Sequence, residues 1–150
     1  MLEGVNERII YDTVSVAARS LHARRITDGP SWSGRLVAAL CALQDVLDLD
    51  ASKLPHNRVE LQSRAKRGWV VAACKVQNSA GVEIIRRDIV ALAEVGADLR
   101  VLVFDPTIRD QLARFGVLQR AVQRRPGLRF LAIGLPRSEP AEIPFRAWTT

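Results

Sequence analysis

Arg58-Val59-Glu60-Leu61-Gln62 runs into Ser63-Arg64-Ala65-Lys66-Arg67-Gly68 and then into Trp69-Val70-Val71-Ala72-Ala73-Cys74-Lys75-Val76. The first five residues alternate polar and apolar, the period of a half-exposed strand. The next six are polar and basic and end in glycine, as a hairpin turn does. The last eight are a continuous apolar run that turns polar at Lys75, which reads as a strand buried on both faces. Gln77 to Gly81 reads as a loop, with Ser79 placed to cap the next helix. From Val82 to Val95 the apolar residues Val82, Ile85, Ile89, Leu92 and Ala93 recur at helical spacing, and Gly96 stands where a helix often ends. Leu99 to Phe104 is a second apolar strand, so a hairpin feeds a helix that returns to a strand beside it.

The flanks extend this pattern. Downstream, Asp105-Pro106 offers an N-cap and a first-turn proline for a helix reaching Arg124. Pro126-Gly127 then turns into a strand over 128–134, and the tail from 135 to 150 reads as irregular, with Phe145 and Trp148 as anchors. Upstream, Leu2, Val5, Ile9, Val16, Ala17 and Leu21 predict an amphipathic helix over 2–25. Thr27-Asp28-Gly29-Pro30 breaks it, and Ser31 or Ser33 caps a second helix bearing Leu36, Val37, Leu40, Cys41, Leu43 and Leu47. Leu49 to Asn57 reads as a loop. The expected fold is a single α/β domain over 1–150, a mixed central sheet with helices on both faces. It has a helical N-terminal part (1–48), an α/β core (58–134) and an irregular tail (135–150).

Composition narrows the function classes. The chain has 150 residues, 48% hydrophobic, enough for one core. No apolar run is long enough to span a bilayer, and the polar, acidic start does not read as a secretory signal. Cys41 and Cys74 lie in apolar runs, which suits reduced thiols and a cytoplasmic location. His and Cys do not cluster, so a structural zinc site is not expected. The net charge is +6, and lysine stands only at 53, 66 and 75, so nineteen of the 22 basic residues are arginine. Arginine forks suit phosphate, and a basic domain carries the footprint of a nucleic-acid binder. Arg24-Arg25, Lys66-Arg67, Arg86-Arg87 and the group from Arg120 to Arg125 concentrate that charge. GC-rich codons, which inflate arginine, are the plain alternative.

The residues with chemical potential are few. Glu60 is the acid of the hairpin strands, and Lys75 stands where the second strand leaves the core. A carboxylate and a lysine on neighbouring strands can converge at one sheet edge. A metal held there by carboxylates would polarise a phosphate, and the lysine would orient the attacking water.

This layout, from Arg58-Val59-Glu60-Leu61 through Ala73-Cys74-Lys75 to Leu99–Phe104, resembles the PD-(D/E)XK, or restriction-endonuclease-like, nuclease superfamily. The resemblance implies a hairpin, helix, strand core and Mg²⁺-dependent hydrolysis of DNA. It places the first acid at Glu60 and the lysine at Lys75, as catalytic residues with Glu60 on the metal. The second acid of the motif falls on Ala73. Three accounts of that alanine are open. The chain is a degenerate relative that keeps a nucleic-acid groove; the acid has migrated to Glu83, a metal ligand from the next helix; or Ala73 replaces a glutamate. A shifted register, Lys75-Val76-Gln77, is degenerate as well.

Each residue also has an ordinary reading. Glu60 can pair with Arg58 or Arg64, and Glu83 can face its own helix dipole. Gln77 and Asn78 are turn formers as well as backbone contacts. Lys66, Arg67, Arg86 and Arg87 are nucleic-acid contacts or solvated cations. Cys74 lacks a histidine partner, and His22 and His56 are given no role. The expected partners are nucleic acid, DNA first, and a second copy of the chain in a homodimer. The competing reading is a non-catalytic α/β interaction module that forms homo- or hetero-oligomers, its first helix pairing with itself or with a partner, the arginines being compositional.

Overall fold

A computed structural model of the chain describes residues 2–78, 82–105, 129–135, 137 and 147–149. The first element, α1 (Leu2–Ala23), buries Ile10, Tyr11, Val14, Ala18 and Leu21. This stripe is rotated from the expected one: Ile9 and Ala17 are at its margin and Val16 is 62% exposed. The helix ends with Arg25 at φ 56°, Ile26 N–H donating to Leu21 O (2.9 Å) and Arg25 N–H to His22 O (3.0 Å). That is a Schellman closure, with Ile26 packed on the core beside the helix end.

Helix α2 (Gly29–Leu47) is capped by Asp28, whose carboxylate accepts from Ser31 N–H at 3.1 Å, with Pro30 in the first turn. Neither Ser31 nor Ser33 is the cap; Asp28 accepts better because its oxygen is charged. Trp32, Leu36, Val37, Leu40 and Leu43 are buried against α1 and the sheet.

The segment read as a loop after α2 begins with a strand, β1 (Leu49–Leu54). It pairs antiparallel with β2 (Arg58–Ser63), which pairs antiparallel with β3 (Val70–Gln77). Helix α3 (Val82–Glu94) leads to β4 (Ala97–Phe104), parallel to β3; β5 (Arg129–Gly134) is parallel to β4. The tail is not wholly irregular: β6 (Ala147–Thr149) pairs antiparallel with β5. The described strands form one mixed sheet in the order β1-β2-β3-β4-β5-β6. The expected helix over 106–124, the Ser79 cap, Val82 and Ile85 as core side chains, and Phe145 lie outside the described residues.

Strand alternation sorts the core into two layers. Val59, Leu61, Ala72, Cys74, Val76, Val101, Val103, Leu131 and Ile133 face α1 and α2. Ala73, Leu102, Phe104, Phe130 and Ala132 face the other way, where Ile89 and Leu92 of α3 join them. Fully burying each valine, leucine, isoleucine or phenylalanine among them is worth roughly 1.5–3 kcal/mol. Gly96 is not in the left-handed region expected of a C-terminal glycine. Instead the buried Arg100 of β4 donates from Nη2 to Val95 O (2.7 Å) and from Nε to Leu92 O (3.2 Å), serving the carbonyls at the end of α3. Among the described residues no helix is long and apolar enough to cross a membrane.

Candidate functional site

On the α3 side, the C-terminal end of β3 borders a cleft of about 580 Å³ between the β1–β2 turn and α3. Sheet register builds its cationic wall. Arg58 is the Cα partner of Lys75, so both side chains leave the sheet on one face, and Arg87 lines the cleft from α3. His56 and Asn57 of the turn hold left-handed φ values of 63° and 58°, residue types that tolerate this region better than most. Asn57 O accepts from Val76 N–H at 3.0 Å, and His56 O accepts from the Lys75 ammonium. The turn is thereby tied to β3 at two successive carbonyls.

Asp88 is the carboxylate lining this cleft, and it accepts a hydrogen bond from the Gln77 side-chain amide. Three cations thus face one acid that is already engaged. Burial holds the Lys75 ammonium below its ordinary pKa; Asp88 pulls the value back up, and Arg58 and Arg87 push it down. A charged lysine crowded by two guanidinium groups is relieved by an arriving anion. The chemistry offered is recognition of phosphate-like oxygens by forked and point-charge donors.

The sequence-derived candidates divide. Lys75, Gln77, Asn78 and Arg87 line the cleft, and Asn78 also donates to Ser33 Oγ at 3.2 Å. Glu60 shares the sheet face of Lys75 but stands opposite Ala73, half-buried, and does not line the cleft. Arg64 does not serve Glu60; it pairs with Asp48 at 2.7 Å and Asp50 at 3.1 Å. Glu83 and Arg86 are exposed on α3 and are not among the cleft residues. Lys66 and Arg67 lie at the other end of β3, in the β2–β3 turn. Burial pushes the Cys74 thiol up to about 12, which leaves it unreactive.

The described cleft residues supply one carboxylate, Asp88, where Mg²⁺ takes several oxygen ligands. No group of three or more His, Cys, Asp or Glu converges among the described residues, and the cleft is lined by cations. Ala73 is fully buried in the apolar cluster of Ile89, Leu92 and Leu102. Arg58, the His56 carbonyl and Asp88 were not singled out as cleft residues from sequence. Arg58 was findable by counting cross-strand pairs back from the hairpin turn; Asp88 needed the position of α3.

No protein-family model matches the chain, and neither a curated protein nor a solved structure was found to resemble it.

Proposed function

We propose that the protein is a nucleic-acid-binding protein, DNA being the first candidate, which holds a backbone phosphate in the Arg58–Lys75–Arg87 cleft. The convergence of those three cations on one opening carries the reading. The overall charge of +6 supports it by favouring encounter with a polyanion. The strand order supports kinship with the restriction-endonuclease-like architecture: an antiparallel hairpin, then a helix, then a parallel strand. The missing acid at Ala73 favours a degenerate member that binds rather than cleaves.

Arg87 and Arg58 would fork onto phosphate oxygens, with Lys75 adding a point charge between them. Gln77, which donates to Asp88, lines the same cleft. The test is fluorescence anisotropy of a labelled duplex across a range of salt concentrations. Binding should weaken steeply with salt, and Arg87→Ala should reduce the log–log salt slope by about 0.9. Binding that ignores salt, or an Arg87→Ala protein indistinguishable from the parent, overturns the proposal.

A further inference from the structure

The other end of β3 carries a second cleft, of about 630 Å³, that the phosphate site does not use. Among its lining residues is Trp69, 44% exposed, an unusual cost for so large an aromatic surface. The ring is held firmly. Ser63 N–H donates to Trp69 O (2.9 Å), Trp69 N–H to Lys66 O (3.1 Å) and Lys66 N–H to Ser63 Oγ (3.1 Å), closing the β2–β3 turn on itself. Gly68, at φ 84°, supplies the left-handed step that aims the next residue. The indole Nε1 then donates to Asp98 Oδ2 at 2.7 Å, so the ring plane is tied to β4 as well.

The surroundings are cationic. The Lys66 ammonium lies over one face of the ring, 4.5 Å from its centroid, and Arg67 borders the same cleft. Asp98 is the carboxylate lining it, and one of its two oxygens, Oδ2, accepts from the indole. A fixed, partly exposed aromatic ring with Lys66 over one face and Arg67 beside it fits an unpaired base stacked on the opposite face and its phosphate on the cations. A base pair inside a duplex keeps its faces covered and cannot use such a ring.

We infer that Trp69, with Lys66 and Arg67, is a stacking site for one unpaired nucleobase, which makes single-stranded nucleic acid the preferred ligand. The inference rests on the phosphate-cleft reading and names its substrate class. From Trp69 to Lys75 along β3 is about 20 Å at strand rise, so one strand of about six or more nucleotides would reach both sites.

The experiment compares labelled (dT)12 with a labelled duplex of the same length, using the whole chain and its Trp69→Ala, Trp69→Phe and Arg87→Ala variants. Trp69→Ala should weaken (dT)12 binding about tenfold, Trp69→Phe should keep most of it, and neither should move duplex binding beyond about twofold. Loss of duplex and single-strand binding together in Trp69→Ala, with Trp69→Phe equally weak, overturns a stacking role. Unchanged (dT)12 binding in Trp69→Ala overturns it too. If Arg87→Ala weakens both ligands while Trp69→Ala weakens neither, the stacking site falls and the phosphate cleft stands. If the parent binds neither DNA, both readings fall.

Discussion

Glu60 on β2 and Ala73 on β3 are direct Cα partners, so their side chains leave the sheet on the same face. This is where paired carboxylates would meet in the nuclease motif, and here one of the two places is fully buried alanine. The methyl packs in the cluster formed with α3, two residues before Lys75.

Ala73→Glu should therefore damage the fold instead of restoring a metal site. A carboxylate forced into that cluster, facing Glu60, should cost about 3 kcal/mol or more. Burial would hold the new acid neutral, raising its pKa above the unfolded value. Stability lost in this way is smaller below that unfolded value and grows as pH rises through it. Urea denaturation at acid and neutral pH checks the direction, and a plasmid assay with Mg²⁺ should show no cleavage. A stable variant that gains cleavage would contradict the packing described for α3.

On the proposed phosphate-cleft reading, DNA affinity should depend on pH through Lys75. Its folded pKa lies below the ordinary 10.5, through burial first and then the balance of Asp88 against Arg58 and Arg87. The unfolded chain binds this proton more tightly, so the charged lysine opposes folding at neutral pH and the penalty is relieved as pH rises through the folded value. A bound phosphate favours the charged form, so affinity should decline with rising pH before 10.5 is reached. Lys75→Arg, which does not titrate there, should flatten the decline. Anisotropy titrations at fixed ionic strength measure both.

Arg100→Ala should destabilise the protein by about 2 kcal/mol, since two carbonyls at the end of α3 would lose a charged donor in a buried setting. Arg100→Lys should recover only part of this, because one ammonium replaces a two-pronged guanidinium. Chemical denaturation of the three proteins gives the comparison.

Arg25→Gly should stabilise by about 1 kcal/mol, raising Tm by about 3 °C. Arg25 is exposed and sits at φ 56°, where a Cβ is unfavourable and glycine is at ease. Thermal unfolding followed by circular dichroism suffices.

Much of the fold was legible because the central elements obey simple periods. The β2–β3 hairpin, α3 and β4 are readable from alternation, an apolar run and a helical stripe. The edge strands escaped because tertiary pairing, not local preference, makes them. β1 reads Leu49-Asp50-Ala51-Ser52-Lys53-Leu54, poor in β-branched and aromatic residues, and β6 comes after a proline-rich tail. Val16 was misplaced because α1 carries apolar residues on more than one flank, and only α2 and the sheet decide which flank is covered. Within the site, Lys75 was readable as the polar end of a buried strand. Its neighbours were not: Arg58 required the hairpin register, and Arg87 was separable from Arg86 only once α3 had been laid on the sheet.

The outermost strand, β1, offers no strand partner on its far side among the described residues, a geometry that invites runaway stacking of copies. Asp50 and Lys53 are both exposed on it, and Asp50 is braced by Arg64. Hydrated charges of either sign resist dehydration when two such borders approach. Charges at a sheet border disfavour fibrillar growth, so neutralising them with Asp50→Val and Lys53→Val should lower the concentration at which the protein precipitates.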